Sequence, residues 1–455
     1  MVSTSEAARL LSVSERRVQK LVEEGRLKAE KVSGVWLIDE DSVRERLRTV
    51  RKTGGRPRRG EGRAEARFTL MNRTHEIMEV VYDRDRAEFT FLGEPTDARR
   101  APLCFGLDAR RLSLVAFNRW WRDRGIPGTR AGLASLLAEC RVAVPAELVW
   151  RNLGLSLSDQ YWVRPAGSGL RWEDVNFFNN SFNEVDGRTA CFAACGSVGE
   201  GAAAERMPHA HPDNTSDGNL GKTWFIRNGV RLLRKFGLRN NQEPYNEVAA
   251  TALYRRLLAE GEFVPYALEG AGAEASCVCA NFLADDEEYV PALYVARAAE
   301  QPPERDDYHH YLACCDLLGA SGVKGRLDKV IVCDDVLANS DRHWRNFGLV
   351  RNVETLACRP APIFDSGTSL WCQTDLADLA RGERSFTSKQ FFESPARQML
   401  LVDDFAWLDP ERLRGFADEA LEILAGNDML ANRLPYLEEA LSFRIRRILD
   451  IAEWS

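Results

Sequence analysis

The chain has 455 residues, of which 45% are hydrophobic and 28% are charged, with a net charge of −7. This length exceeds that of one ordinary domain, and these fractions of hydrophobic and charged residues are typical of globular proteins rather than disordered ones. No run of about 20 apolar residues occurs, which excludes a membrane-spanning helix, and the N-terminus lacks the pattern of a secretory signal. The 11 cysteines are irregularly spaced without a CxxC motif. Their pattern argues against a disulfide framework or a four-thiolate zinc site and predicts reduced thiols in a cytoplasm.

Charge is distributed unevenly along the chain. Residues 1–67 contain 17 Lys and Arg against 11 Asp and Glu, whereas the remaining residues contain 44 against 57. A basic arm on an acidic body is typical of a protein whose arm contacts nucleic acid while the body has another role. A solvated basic terminus without a partner is the alternative.

The first 50 residues have the pattern of a winged helix-turn-helix. Ser3 and Glu6 have the spacing of a capping box, and an apolar helix face follows them. Ser14 is positioned to cap a second helix after a tight turn. Residues 27–32 and 35–38 then alternate as a hairpin wing, and a third helix is expected to follow.

In such a module the second helix enters the major groove of DNA. Its outward-facing residues are the predicted DNA contacts Arg16, Arg17, Gln19 and Lys20. The layout resembles the excisionase-type winged helix-turn-helix over residues 1–48. A small helical domain without a partner is the alternative.

A cationic linker follows the module at residues 51–66. Gly and Pro prevent a helix around Arg56 and Arg58, and a narrow A·T-rich minor groove attracts such arginines. The Gly-Arg-Pro-Arg core resembles an AT-hook, and a plain basic linker is the alternative. We therefore predict binding of double-stranded DNA through residues 1–60.

The middle segment has the pattern of a small α/β subdomain. Residues 68–72, 77–82 and 87–92 predict strands, and a helix is expected around Trp120. Aromatic- and amide-rich stretches follow, which predict packing and hydrogen bonding. No catalytic role is assigned to Asp159 or Trp162.

The segment of residues 339–348 indicates chemistry most directly. Asp341 precedes Asn346 by five positions, and Asp365 follows an apolar run two positions before Gly367. Phosphoryl transfer from ATP needs one carboxylate to accept the proton of the attacking hydroxyl, and oxygen ligands for Mg²⁺. Kinases supply these groups in this order and spacing. The ordered set predicts a kinase-like site; a polar loop that only hydrogen-bonds itself is the alternative.

The groups that hold ATP are expected upstream of this segment. Residues 217–222 form a turn whose backbone amides can face phosphates, with Gly218, Asn219 and Lys222 as predicted contacts. Two strands follow at residues 223–226 and 230–236, joined by an Asn-Gly hairpin turn.

The second of these strands carries Lys235, whose ammonium is predicted to bind phosphate. Glu247, on the helix that follows, is its predicted partner, and Glu243 competes for that role. A strand at residues 275–280 leads to a hinge at residues 281–284, where Phe282 would lie against adenine. His343 is predicted to hydrogen-bond within its loop rather than to act as a base, because Asp341 already fills that role.

These motifs together resemble the HipA-like serine/threonine protein kinases of bacterial toxin–antitoxin systems, over residues 67–455. The Ser-Asp-Gly-Asn, Asn-Ser-Asp-Arg-His-Trp-Arg-Asn and Ile-Phe-Asp-Ser-Gly runs carry the resemblance. It implies a two-lobed kinase fold with a largely helical C-terminal lobe. It also implies that Asp341 is the catalytic base, that Asn346 and Asp365 are the Mg²⁺ ligands, and that Lys235 binds phosphate.

The chain departs from the family pattern at two points. HipA-type kinases often carry an autophosphorylated serine in the Gly-rich loop, but the residue before Gly218 is Asp217, which leaves Ser216 as the candidate. HipA is also normally held by a separate DNA-binding antitoxin, whereas this chain carries a DNA-binding-like module itself. The resemblance also implies an antitoxin as a partner.

We therefore predict a multidomain α+β protein. The expected segments are a winged helix-turn-helix at 1–50, a linker at 51–66, an α/β subdomain at 67–195, a nucleotide-binding lobe at 196–284 and a helical catalytic lobe at 285–455. The predicted function is ATP- and Mg²⁺-dependent phosphorylation of Ser or Thr in a protein substrate, with a DNA-binding module that tethers or autoregulates the kinase. The alternatives are a transcription regulator whose kinase-like body senses ATP without catalysis, and a phosphoinositide-type lipid kinase.

Overall fold

The computed structural model divides the chain into two compact units, Met1–Arg63 and Ala64–Ser455, here called the N-terminal unit and the body. It describes residues 2–11, 18, 20–22, 24, 27–32, 35–39, 42–43, 66–83, 86, 88–107, 113–126, 148–150, 152–182, 211–215, 221–238, 240–382 and 384–454.

The N-terminal unit combines helix α1 (Thr4–Leu11) with strands β1 (Val2–Ser3), β2 (Ala29–Val32) and β3 (Val35–Ile38). The strands form one antiparallel sheet in the order β1-β3-β2, and β2 and β3 pair as the predicted hairpin. Strand β1 was not predicted. It ends where the predicted helix cap lies, which is consistent because a capping residue has extended dihedral angles.

A small apolar core holds this unit together. Its buried members are Ala7, Ala8, Val18, Leu21, Leu27, Ile38 and Val43. Val18 and Leu21 lie where the second helix is predicted after Ser14, and Lys20 between them is exposed, in agreement with its predicted outward position. The other predicted DNA contacts, Arg16, Arg17, Gln19, Arg56 and Arg58, lie outside the described residues.

The body begins with a four-stranded antiparallel sheet in the order β6-β5-β4-β7. The predicted strands are confirmed as β4 (Ala66–Asn72), β5 (His75–Asp83) and β6 (Glu88–Phe91), and β7 (Tyr161–Pro165) is an addition that pairs with β4. The predicted helix is α2 (Leu114–Asp123), which the hydroxyl of Ser113 caps by accepting from the backbone N–H of Ala116. A short helix, α3 (Trp172–Val175), follows.

A second antiparallel sheet has the order β10-β11-β9-β8. Its strands are β8 (Lys222–Arg227), β9 (Val230–Phe236), β10 (Ala267–Glu269) and β11 (Ser276–Ala280). Asn228 and Gly229 join β8 to β9 with φ values of 52° and 79°, as a tight hairpin turn of the I′ type requires. Helix α4 (Glu243–Leu257) follows β9.

A third antiparallel sheet, β12-β13-β14, comprises Glu287–Pro291, Gly348–Asn352 and Cys358–Pro360. Gly348 begins β13 directly after the predicted catalytic segment. A Cβ atom there would lie 2.2 Å from the carbonyl oxygen of Val290, so the close approach of the two strands requires glycine.

Helices predominate in the described part of the chain after β12. They are α5 (Ala292–Val295), α6 (Asp307–Leu317), α7 (Val323–Leu337), α8 (Leu376–Ala380), α9 (Pro395–Met399), α10 (Phe416–Ala425) and α11 (Leu434–Trp454). Among the described residues, no helix has the length and apolar character needed to cross a membrane.

Two large apolar clusters form the core of the body. The first extends from Phe68 to Ala361 and joins the β4–β7 sheet to helices α5 and α6. The second joins helices α4, α7, α10 and α11. Helix α7 contributes to both, with Leu327 in the first cluster and Ile331 in the second. This shared helix leads directly into the segment that contains Asp341.

Candidate active site

Lys235 lies at the centre of a compact ion-pair cluster. Its Nζ is 2.7 Å from Oε1 of Glu247 and 2.6 Å from Oδ1 of Asp365. Strand β9 supplies the lysine, helix α4 supplies Glu247, and the segment after β14 supplies Asp365. Of the two predicted partners, the structure therefore pairs Lys235 with Glu247. The carboxylate of Glu243 instead accepts from the backbone N–H of Leu238.

The electrostatics of this cluster keep both Lys235 and Asp365 charged. Burial acts to lower the pKa of Lys235, but the charges of Asp365 and Glu247 outweigh it and raise that pKa well above its usual range. Burial acts to raise the pKa of Asp365, and the ammonium groups of Lys235 and Lys222 outweigh it and hold that pKa well below its usual range. An anionic Asp365 is the form that a cation would bind.

Asp365 adopts a left-handed backbone conformation, with φ of 58°. Such a conformation is uncommon for residues other than glycine, and it persists only where neighbouring contacts hold it. The next backbone N–H, that of Ser366, donates to Oε2 of Glu247 at 2.9 Å. Glu247 therefore binds Lys235 with one oxygen and fixes the backbone beside Asp365 with the other.

The loop that contains Asp341 is closed by its own amide side chains. The backbone N–H of Asp341 donates to Oδ1 of Asn339 at 2.9 Å, and Nδ2 of Asn346 donates to the Asp341 carbonyl at 3.0 Å. The backbone N–H of Arg345 donates to Nδ1 of His343 at 3.2 Å, so His343 hydrogen-bonds within its loop as predicted. The Asp341 side chain takes no part in these bonds and is 34% exposed.

Arg342 anchors this loop to helix α7. Its side chain is 1% exposed, and its guanidinium donates to both carboxylate oxygens of Asp334 on α7, at 2.9 and 3.0 Å. The guanidinium also donates to the main-chain oxygens of Asn346 and Phe364. A single Nη1 atom thus joins the main chain at Asn346 to the residue before Asp365, which brings the two predicted metal ligands together.

The predicted ligands Asp365 and Asn346 fit a Mg²⁺ ion that is also bound to the phosphates of a nucleotide. Magnesium is commonly held by one or two protein oxygen ligands together with substrate phosphates. Asp365 offers a carboxylate, and Asn346 uses its side-chain nitrogen within the loop, so its side-chain oxygen is the atom that could bind a metal. In the described part of the chain, no group of three or more His, Cys, Asp or Glu residues could hold a metal alone.

Lys222 lies opposite Lys235 in the β8–β9 register. Directly paired residues project from the same face of a sheet, so the two cations share one face. The other predicted phosphate contacts, Gly218 and Asn219, lie outside the described residues, as does Ser216. The sheet therefore presents the positive charges of Lys222 and Lys235 beside the carboxylates of Glu247 and Asp365.

Aromatic side chains border the cluster on the side of the predicted hinge. The ring of Phe282 stacks on that of Phe364 with centroids 5.4 Å apart, and Tyr289 meets Phe364 edge-on at 5.2 Å. Phe364 directly precedes Asp365. An apolar surface of this kind suits a planar base, which is the environment predicted for Phe282.

The middle of the body contributes a contact to the loop. Arg345 donates to Oδ2 of Asp123 at the end of α2, at 2.6 Å. The hydroxyl of Tyr289 donates to the main-chain oxygen of Arg345 at 3.0 Å.

Asp159 and Trp162 have structural partners, since Asp159 pairs with Arg124 and the indole N–H of Trp162 donates to the Arg73 carbonyl.

Sequence reasoning did not identify Arg342, Asp334 or Lys389 as parts of this site. Lys389 Nζ lies 2.7 Å from Oδ1 of Asp341. An arginine beside an aspartate in a polar loop is ordinarily solvated, and nothing in the sequence near Lys389 resembles a motif. The only available signal for Asp334 was its place on the last turn of the predicted helix before the loop.

Comparisons with known proteins separate the two units. A family model described as a helix-turn-helix domain matches residues 1–51. No curated protein matches the chain. HipA of Shewanella oneidensis MR-1, solved as a toxin–antitoxin complex with HipB and operator DNA, is similar in structure with a TM-score of 0.50 and 13% identity. That likeness covers 85% of this chain and 98% of the other.

The proinflammatory kinase CtkA of Helicobacter pylori is a second solved neighbour. Its TM-score is 0.38 at 19% identity, over 51% of this chain and 92% of CtkA. The chain thus combines an N-terminal helix-turn-helix with a mixed helix-and-sheet body whose fold is similar to that of HipA.

Proposed function

We propose that the protein is an ATP- and Mg²⁺-dependent serine/threonine protein kinase of HipA type with its own DNA-binding module. The observation that carries the proposal is the ion-pair cluster of Lys235, Glu247 and Asp365, which Arg342 joins to the loop of Asp341 and Asn346. A buried lysine held by a helix glutamate beside an aspartate is the arrangement that phosphate binding and metal binding require.

In this reaction the oxygen of a Ser or Thr hydroxyl bonds to the γ-phosphorus of ATP. The bond from that phosphorus to the β–γ bridging oxygen breaks, and ADP keeps the electron pair. Asp341 accepts the hydroxyl proton, while Lys235 and Lys222 bind phosphate oxygens. Asp365 and Asn346 would hold Mg²⁺, which would supply charge neutralisation at the phosphates.

We assign the parts of the kinase by their elements. The nucleotide-binding lobe comprises residues 196–284 and includes β8–β11 and α4, with Phe282 against adenine. The helical catalytic lobe comprises residues 285–455, and the α/β subdomain at 67–195 supports it through the contact between Asp123 and Arg345. Free thiols at every described cysteine support a cytoplasmic location.

The kinase proposal predicts that Asp341→Ala abolishes phosphoryl transfer. We expect purified wild-type protein, incubated with labelled Mg·ATP, to label itself or a protein in a cell lysate, and the Asp341→Ala variant to label neither. Nucleotide binding should survive the substitution because Asp341 contacts the acceptor rather than the nucleotide. Equal labelling by both proteins would reject Asp341 as the base. Nucleotide binding without any transfer by the wild type would instead favour an ATP-sensing regulator.

We assign double-stranded DNA binding to the N-terminal unit, on the basis of its helix-turn-helix match and its excess of positive charge. The winged hairpin and the AT-hook-like linker belong to this proposal. The HipA of the similar structure is bound to HipB and operator DNA, which makes an antitoxin a candidate partner here too. The module would tether the kinase to DNA or regulate its own operon.

This assignment predicts that deletion of residues 1–63 abolishes DNA binding. We expect the full chain to bind duplex DNA with an affinity that falls steeply as salt rises, because binding releases counterions from the phosphates. The deletion variant should lose this binding and keep the labelling activity of the body. Fluorescence anisotropy at several salt concentrations measures the difference, and unchanged DNA binding by the shortened chain would contradict the assignment.

A further inference from the structure

Lys389 forms an ion pair with Asp341, the candidate catalytic base. Its Nζ is 2.7 Å from Oδ1 of Asp341, although the two residues are 48 positions apart in the chain. The Lys389 side chain is 50% exposed. A surface ion pair of this exposure stabilises a protein by about 0–1 kcal/mol, so the contact has little value for stability alone.

The backbone around Lys389 is nevertheless held firmly. Ser388 and Gln390, on either side of it, are buried, whereas Lys389 itself faces outward. The main-chain oxygen of Gln390 accepts from the indole N–H of Trp344 at 2.6 Å, and Nε2 of Gln390 donates to Oδ2 of Asp334 at 2.7 Å. The segment carrying Lys389 is thus anchored to both the loop that contains Asp341 and the aspartate that anchors that loop.

The other two lysines assigned to the site, Lys222 and Lys235, lie on one face of the β8–β9 sheet. Lys235 is bound by the carboxylates of Glu247 and Asp365, which lie on the nucleotide and metal side. Lys389 instead meets the carboxylate that faces the acceptor hydroxyl. The base must reach the hydroxyl that attacks the phosphorus atom. An ammonium that is paired with the base therefore lies close to that phosphorus atom.

We propose that Lys389 is a catalytic residue that binds the γ-phosphoryl group during its transfer. This inference rests on the proposed function and adds a residue to it. The acceptor oxygen bonds to phosphorus, the bond to the β–γ bridging oxygen breaks toward ADP, and the hydroxyl proton goes to Asp341. Lys389 keeps its own proton throughout, and its ammonium moves from the carboxylate alone to a position shared with the phosphoryl oxygens.

The test uses the full-length chain and three variants. Lys389→Met removes the cation, and Lys389→Arg keeps it. Lys329→Met is the matched control, because Lys329 also pairs with a carboxylate, Glu262 at 2.8 Å, in the same body but outside the site. We expect Lys389→Met to lower kcat by about 10²- to 10³-fold, the usual effect of losing one preorganised charge-stabilising donor. The KM for ATP should rise about tenfold with the loss of the γ-phosphate contact, Lys389→Arg should retain part of the activity, and the control should match the wild type.

A binding measurement separates a catalytic role from a structural one. Calorimetry with Mg·ADP and with the Mg complex of adenylyl imidodiphosphate gives the preference of each protein for a γ-phosphate. We expect Lys389→Met to bind Mg·ADP as the wild type does and to lose at least tenfold of the γ-phosphate preference. Unfolding curves of the variants should coincide with that of the wild type.

The outcomes distinguish this inference from the function on which it rests. A Lys389→Met variant with wild-type kcat and wild-type γ-phosphate preference overturns the inference, while its activity supports the kinase. Nucleotide binding without transfer by the wild type rejects the kinase, and the γ-phosphate preference then decides whether Lys389 binds that group. Absence of both binding and transfer in the wild type overturns both proposals.

Discussion

Replacement of Arg342 by leucine is expected to lower the free energy of unfolding of the body by about 3–5 kcal/mol, the range for breaking a buried ion pair. The guanidinium is 1% exposed and is the principal charge partner of Asp334, which is itself 8% exposed. Among the described residues, its removal leaves this buried carboxylate with the neutral donors Asn339 and Gln390 alone. It also removes the donors to the main chain on both sides of the site.

Urea denaturation followed by tryptophan fluorescence measures this change. All but one of the 11 tryptophans lie in the body, Trp36 being the exception, so the signal reports the body. Arg446→Leu is the control, because Arg446 is exposed on α11 and such substitutions change stability by about 0.5 kcal/mol or less. The Arg342→Leu/Asp334→Asn double variant should regain part of the loss. A single-variant loss below about 1 kcal/mol would show that the network does not hold the fold as described.

Lys235→Met is expected to have the largest effect on both activity and stability together. We expect kcat to fall by about 10²- to 10³-fold, because the variant loses the cation placed for the phosphates. Glu247, 2% exposed, loses its ion-pair partner, which destabilises the body by about 3–5 kcal/mol if the carboxylate stays charged. The Lys235→Met/Glu247→Gln double variant removes that buried charge, so it should regain stability without regaining activity. Recovery of activity in the double variant would contradict the phosphate-binding role.

The stability difference between the wild type and Lys235→Met should depend on pH. Lys235 depresses the pKa of Asp365 in the folded state, so this pair stabilises the wild type above the ordinary carboxyl pKa of about 3.9. The stabilisation is lost as the pH falls from that value toward the depressed pKa. At the alkaline end, the raised pKa of Lys235 keeps its contribution complete up to the ordinary lysine pKa of about 10.4. The contribution of the Lys235–Asp365 pair should therefore be complete from about pH 5 to pH 9 and shrink in acid, as urea titrations at a series of pH values would measure.

Local patterns in the sequence predicted the parts of the site that depend on near neighbours. The Asn228–Gly229 turn sets the register of β8 and β9, because the loop length and turn type of a hairpin fix its pairing, and both residues have the positive φ of a type I′ turn. That register brings Lys222 opposite Lys235. Glu247 lies 12 positions after Lys235, on the helix that directly follows the strand, so order along the chain was enough to suggest the ion pair.

The remaining parts depend on contacts that no periodic pattern encodes. Lys389 meets Asp341 only because the segment around Gln390 folds back onto Asp334, 56 positions earlier. The burial of Arg342 depends on the packing of α7 against the rest of the body. Strand β7 was missed for a similar reason, since β5, β6 and α2 lie between it and its partner β4 in the sequence.

The first apolar cluster has a consequence for how the protein is made. The N-terminal unit is complete once Arg63 has been synthesised, whereas the first cluster gains its last member at Ala361. Strand β4 also bonds across 216 positions, through Asn72 and Glu288. The apolar faces of β4 and β5 therefore emerge from the ribosome long before their partners, and contacts of such sequence separation form slowly. We therefore expect the nascent body to be prone to aggregation during this interval, at a time when the N-terminal unit can already fold.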